Sequence, residues 1–345
     1  MRRPLIAAAG LLLIVGLYVV YWFVLAHLLR QDIDRWTASQ REQGYQIAYG
    51  EPAIGGFPFA VTARMTAPSA TAANFHWRWQ GPDLDLTIRP WAPLDLLFSA
   101  PGRHRLDVAG DAPHWDQLDA DGLTFELDIG FDGRVQRGRL ALSGADLLDS
   151  RQGRSDAAAL AIDARLPWPP PGDPSNSAID LEATGSGIDI PDNQVSPLGR
   201  RVDSVHVVAQ LMGMPPPAAS ARQVLAAWRD AGGTLELRQG ELAWGPLRLS
   251  GNSTIALDQN LQALAAGSLT VAGFAETLDA FVAAGMVPAG SAKLAKFMFS
   301  ALAKPPPGGG RPQVQVPLAL QDGVLSMGPV KLAKVRPIDW SWLPP

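Results

Sequence analysis

The sequence predicts a mainly β protein: extended, curved antiparallel sheets in two halves with a few short helices, preceded by one N-terminal transmembrane helix. Three observations predict it. Apolar and polar residues alternate with a period of two over most of the chain beyond Tyr45, the pattern of strands with one dry face and one wet face. An uncharged run from Leu5 to Leu29 opens the chain. A proline-rich break, Trp168-Pro169-Pro170-Pro171-Gly172-Asp173-Pro174, divides the alternating region in two.

The N-terminal run follows Arg2 and Arg3 and holds nothing more polar than His27. At ~1.5 Å per residue, Leu5 to Phe23 spans roughly 29 Å, the thickness of a bilayer's hydrocarbon core. Tyr18, Tyr21 and Trp22 gather at its far end, where amphipathic rings prefer the lipid–water boundary. The reading is an uncleaved anchor over 1–29 with its N-terminus in the cytoplasm, continuing as a juxtamembrane helix over 30–44. Leu29, Ile33 and Trp36 keep helical spacing there beside Arg30, Asp32, Asp34 and Arg35. The competing reading is a cleavable signal peptide, since Val24-Leu25-Ala26 loosely fits the small-residue rule, although signal cores usually run about 7–15 residues. Either way the rest of the chain is exported: bacterial inner membrane, single pass, bulk in the periplasm.

Residues 45–166 form the first β-rich half. Phe75, Trp77 and Trp79 alternate with His76, Arg78 and Gln80; Leu84, Leu86 and Ile88 with Asp83, Asp85 and Thr87; Leu123, Phe125, Leu127 and Ile129 with Thr124, Glu126 and Asp128. Asp132-Gly133 supplies a hairpin turn before a strand from Val135 to Ser143, and Ala157 to Leu166 reads as another strand. Residues 167–176 form a stiff spacer, because prolines cannot donate to a ladder.

The second half, 177–345, resumes with Ile179, Leu181 and Ala183, then Val205, Val207, Ala209 and Leu211. Ser220 and Gln223 make a capping box for a helix near 220–231, whose stripe is Ala221, Val224, Leu225 and Trp228, ended by Gly232-Gly233. Strands follow through Leu235 to Leu257. A helical pair near 274–285 and 291–303 carries the stripes Phe274, Leu278, Phe281, Val282 and Leu294, Phe297, Met298, Ala301, Leu302. Pro305 to Arg311 reads as a hinge before the closing strands, near Val314 to Leu320 and Val324 to Leu332.

One internal repeat is visible. Gly240 to Leu249 and Gly323 to Leu332 share the pattern G-x-L-x-[WM]-G-P-[LV]-[RK]-L. Gly245-Pro246 and Gly328-Pro329 are read as structural corners that kink a strand and let a wide sheet curve, since proline lacks a donor and glycine tolerates unusual φ.

Composition excludes several classes of function. The 345 residues are 47% hydrophobic and 18% charged, below the usual ~25%, which suits a large core rather than disorder. A net charge of -4 offers no global positive field for nucleic acid. The absence of cysteine removes disulfides, thiol catalysis and cysteine-ligated metals. No two of the five histidines have metal-ligand spacing, and no nucleophile elbow, phosphate loop or dinucleotide fingerprint occurs. Asp111, His114, Asp116, Asp119 and Asp121 resemble a calcium loop only faintly and read as a solvated loop. Asp83 and Asp85 read as wet-face residues. No catalytic residue, cofactor or metal is expected.

All five lysines lie at or after residue 293. Lys293, Lys296 and Lys304 beside Phe297 and Met298 make a basic amphipathic helix, a candidate membrane-facing element. The alternative is that its apolar stripe packs on the sheet while the lysines face water.

In outline the chain resembles the membrane-anchored bacterial family known as domain of unknown function 2125. The likeness rests on the N-terminal helix through Trp36, on Gly44-Tyr45-Gln46-Ile47-Ala48-Tyr49 with Gly56-Phe57-Pro58, on Gly245-Pro246, and on the closing Pro317 to Pro329. That family has no agreed activity, so the resemblance transfers no functional residue. The closing strands are also similar to those of AsmA-like envelope proteins, whose β-sheet grooves are associated with lipid handling; this is a fold-level analogy. The expectation is a non-catalytic envelope protein binding lipid or another hydrophobic ligand on a curved sheet. The alternatives are a scaffolding module for an envelope protein partner and an exported hydrolase.

Overall fold

The computed structural model describes residues 2–73, 75–109, 113–167, 173, 175–216, 220–305, 309–328 and 330–340. They contain four helices and nineteen strands, and every recorded strand pairing is antiparallel. The chain divides into two compact units, 1–154 and 155–345. Most of the proline-rich spacer read from the sequence, residues 168–172 and 174, lies outside the described residues.

The first unit opens with α1 (Arg2–Glu42), a single helix over the anchor and juxtamembrane stretches. From Gly10 it is long and apolar enough to cross a membrane. It stops where the Gly44 N–H donates to the Arg41 carbonyl and the Tyr45 N–H to the Gln40 carbonyl, the paired bonds of a Schellman ending.

The strands that follow are β1 (Gln46–Ala48), β2 (Ala53–Gly55), β3 (Val61–Met65), β4 (Ser69–Thr71), β5 (Trp77–Gln80), β6 (Leu84–Arg89), β7 (Ala92–Ser99), β8 (Gly102–Val108), β9 (His114–Ile129) and β10 (Val135–Asp149). The long β9 organises them. β10 pairs with it from Asp116 to Ile129 along one edge. On its other edge, β8 pairs with its first half and leads on to β5, β4 and β1. The second half pairs with β7 and leads on to β6, β3 and β2.

The core of this unit is where α1 lies on β3 and β6. Trp22, Ala26, Leu29 and Ile33, spaced so as to share one helix face, are buried against Val61, Ala63, Met65, Leu86 and Ile88. The residues between these turn outward: Thr62 and Thr87 hydroxyls meet at 3.0 Å, and Arg64 grips Asp85.

Two expectations are corrected here. Phe75 does not belong to the Trp77 strand; it sits in the β4–β5 turn at φ 58, with its N–H on the Ala72 carbonyl. Nor do the acidic residues before Leu123 form a loop. His114, Asp116, Asp119 and Asp121 are part of β9, held because β8 and β10 supply a ladder on both sides, with Arg103 paired to Asp119 at 3.2 Å. Asp111 lies outside the described residues. Asp85, read as a wet-face residue, is on the outward side of β6, where Arg64 holds it through two 2.7 Å bonds.

The second unit is a meander: β11 (Gly153–Arg165), β12 (Ser177–Asp189), β13 (Arg201–Met212), β14 (Thr234–Trp244), β15 (Leu247–Leu257), β16 (Ala263–Ala272), β17 (Gln313–Gln321), β18 (Val324–Met327) and β19 (Val330–Lys334), each pairing with the next. Register shifts in β12–β15 and in β18–β19 mark bulges, which bend and twist strands locally.

Three helices accompany the meander. α2 (Ala221–Asp230) begins at Ser220, whose hydroxyl accepts from the Gln223 N–H, and buries Trp228, whose Nε1 donates to the Met212 carbonyl at 3.0 Å. α3 (Phe274–Ala283) and α4 (Ala289–Leu302) sit between β16 and β17 in the chain.

Candidate apolar binding face

In an antiparallel sheet, directly opposed residues share a face. In the second unit one row of such partners runs Leu160, Gly185, Val205, Leu242, Leu249, Val271, Val314 across seven strands. Two residues along each strand, the next row on the same face is Ile162, Ala183, Val207, Gly240, Gly251, Leu269, Val316. The row between them, on the opposite face, is Thr184, His206, Glu241, Ser250, Thr270, Gln315. One side of this meander is therefore apolar and the other polar.

Two of the helices, α3 and α4, cover the β16–β17 end of the apolar side. Phe274 of α3 and Phe299 of α4 meet edge to face at 5.5 Å and pack with Leu269, Val271, Val314 and Val316 on β16 and β17. That packing starts from a close approach. Gly273 precedes α3 at φ 71, and a Cβ there would lie 1.9 Å from the Pro246 carbonyl oxygen, so only glycine lets α3 start against the β14–β15 turn. Toward β11, Val205, Val207, Leu242 and Leu249 stay half-buried and Ile162 is exposed. Beside the helices, a hollow of about 360 Å³ is lined by Phe274, Ala275, Ala303, Pro305 and Pro312 together with Glu276, Ser300 and Arg311.

The Gly-Pro repeats are hairpin turns, not corners within a strand. Trp244 pairs with Leu247, so Gly245 and Pro246 are the two loop residues between β14 and β15. Gly245 has φ 52 and proline holds φ negative, which leaves the type II′ turn, whose twist matches paired strands. Met327 pairs with Val330 in the same way around Gly328 at φ 56; Pro329 lies outside the described residues. Turn and kink share the same residues in sequence, and only the pairing partner separates them.

The second helix of the pair carries the stripe read as a candidate membrane-facing element. α4 turns Ala292 and Phe299 inward, whereas Leu294, Phe297, Met298 and Leu302 are 62%, 73%, 50% and 61% exposed. The stripe thus points outward instead of packing on the sheet, the alternative reading, and exposed Lys293 lies beside it. Lys296 instead forms an ion pair with Asp279 of α3. Lys304 is beyond the helix, where its backbone bridges to Gln313 in both directions at 2.9 and 3.0 Å. Phe299 won the inward position because α3 offers Phe274 as its partner, which no single-helix periodicity reveals.

Among the described residues no group of three histidine, aspartate or glutamate side chains is arranged to hold a metal ion. In the first unit a hollow of about 450 Å³ is lined by Phe75, Arg78, Asp107, Val108 and Trp115.

A family model described as an uncharacterized protein conserved in bacteria (DUF2125) matches residues 22–336. No curated protein and no solved structure matches the chain.

Proposed function

We propose that this chain, which belongs to the DUF2125 family, is a non-catalytic envelope protein that binds lipid or another hydrophobic ligand on the apolar face of its second unit. In this reading α1 anchors it in the bacterial inner membrane, with Arg2 and Arg3 holding the N-terminus in the cytoplasm and both β units in the periplasm. The observation that carries the proposal is the apolar row from Leu160 to Val314, which α3 and α4 cover at one end only. Burying apolar surface stabilises an assembly by about 25 cal/mol per Å², so the half-buried Val205, Val207, Leu242 and Leu249 across β13–β15 favour an apolar guest. The outward stripe of α4, with Lys293 at its side, suits the same chemistry: apolar side chains toward acyl chains and a cation toward anionic headgroups.

Lipid extraction and mass spectrometry of the full-length purified chain test this. The expected result is lipid retained in fixed ratio by the parent chain and lost from a Leu242→Gln, Leu249→Gln variant that keeps its β circular dichroism. Equal lipid in both would remove the sheet face as the binding surface.

A second reading has its own observation. The exposed stripe Leu294, Phe297, Met298 and Leu302 fits the hydrophobic face of a protein partner, making the chain a scaffold. Crosslinking in cells that captures one stoichiometric protein on α4, with no lipid on the sheet, would favour it. The last strand, β19, carries Lys331 and Lys334, charges that discourage pairing by strand addition.

A further inference from the structure

We propose that the first unit rests directly on the bilayer through three aromatic loop tips, Phe57 with Phe59, Trp91 and Phe131, inserted at the interface of the leaflet where α1 emerges. This goes beyond the function proposed above and rests on its reading of α1 as a membrane anchor.

The register places the tips together. Val61, Ile88, Leu96, Leu127 and Gly138 oppose one another in one row across β3, β6, β7, β9 and β10. Past that row, the chain runs through 56–60, 90–91 and 130–134, so all three loops leave the same end of the sheet. Each carries an aromatic ring largely in the open: Phe57 is 52% exposed, Phe59 72%, Trp91 64% and Phe131 fully. The turns at the other end of β3, β6 and β7, at 66–68, 82–83 and 100–101, hold no aromatic residue. At the opposite end Phe75 is also 59% exposed, in the β4–β5 turn beside the start of β9, but it stands alone there, whereas four exposed rings gathered on three neighbouring loops mark an interaction surface.

Hydrogen bonds from α1 set the height of that surface. Tyr18 donates to the Pro58 carbonyl, Tyr21 to the Pro90 carbonyl at 2.7 Å, and Trp22 Nε1 to the Ala60 carbonyl at 2.8 Å. Phe57 also meets Trp22 edge to face at 5.4 Å. Counting from Leu5 at ~1.5 Å per residue, Tyr18 and Trp22 stand roughly 20 and 26 Å into a hydrocarbon core about 30 Å thick. The loops bonded to them therefore lie within roughly 4–10 Å of the acyl–headgroup boundary, the depth to which interfacial apolar side chains insert and near which aromatic rings gather. A lipid surface, continuous with the one around α1, is the occupant that this geometry selects.

The chain has no cysteine, so single cysteines can be labelled cleanly. Full-length Phe59→Cys, Trp91→Cys and Phe131→Cys would carry an environment-sensitive fluorophore in phospholipid vesicles doped with nitroxide lipids. Val20→Cys, 61% exposed on α1 at the same height, serves as reference. Gln152→Cys, in the turn beyond the far end of β10, serves as control. The expected result is quenching at 59, 91 and 131 by the same shallow nitroxide that quenches position 20, with position 152 unquenched. Quenching at 20 with none at the three tips would overturn the footing while the anchor stands, and would assign the tips to a protein partner. No quenching at 20 would remove anchor and footing together. Matching thermal midpoints and circular dichroism show that each variant is folded.

Discussion

The indole Nε1 of Trp22 donates to the backbone carbonyl of Ala60 at 2.8 Å, and the ring itself is 5% exposed. This bond joins the apolar helix to the residue just before β3. The helix is accordingly part of the first unit's core from Trp22 to Thr37, not a detached tether.

Truncating Trp22 therefore destabilises more than the helix. For Trp22→Ala, the lost burial and the cavity left behind cost about 3–5 kcal/mol, read as a lower denaturation midpoint of the full chain in detergent. Tyr21→Phe removes only the bond to the Pro90 carbonyl and costs about 1 kcal/mol. Equal midpoints for Trp22→Ala and the parent would mean that α1 is independent of the sheet.

Arg64 and Asp85 face each other across β3 and β6. The two guanidinium bonds to Asp85 hold its carboxyl below the usual carboxylate range, against a smaller opposing effect of partial burial. A depressed folded pKa adds stability above the unfolded value of about 3.9, and that contribution disappears as pH falls through the folded value. The gap in stability between the parent and Asp85→Asn should thus be present at neutral pH and shrink below about pH 4. Denaturant titrations at a series of pH values measure it; a gap that stays constant would exclude the linkage.

Gly273 is the point where α3 meets the β14–β15 turn. Gly273→Ala brings a Cβ against the Pro246 carbonyl at a positive φ, for a cost of about 1–3 kcal/mol. Thermal unfolding should show a clearly lowered midpoint, and an unchanged one would imply that α3 starts elsewhere.

Two phenylalanines of α4 offer a paired comparison. Phe297 is 73% exposed, so Phe297→Ala should change stability by no more than about 0.5 kcal/mol. Phe299 packs on Phe274, and Phe299→Ala should cost about 2 kcal/mol or more. If the two costs were reversed, the helix would be rotated, with the stripe of Leu294, Phe297 and Met298 facing the sheet.

Much of the fold was legible because period-two alternation is local: Leu84, Leu86 and Ile88 announce their strand without help from the partner. The Ser220 cap was legible for the same reason, since its bond closes within three residues. What failed depended on partners distant in sequence. Gly245-Pro246 serves equally as a kink or a reversal until Trp244 is found opposite Leu247. The acidic stretch of β9 looks like a loop until Arg103 and both neighbouring strands surround it. The facing of α4 depends on Phe274, and the shared end of the three aromatic loops depends on the order of β3, β6, β7, β9 and β10. The apolar face was legible strand by strand, but its continuity over seven strands required the register.

The proposed function requires the apolar face of the second unit to hold a hydrophobic ligand. Photocrosslinking in native membranes, using a phospholipid with a photoreactive acyl chain and mapping adducts by peptide mass spectrometry, tests it most directly. Adducts on Val205, Val207, Leu242 and Leu249 as well as on α1 are the expected result; adducts confined to α1 would remove the sheet face as the binding surface.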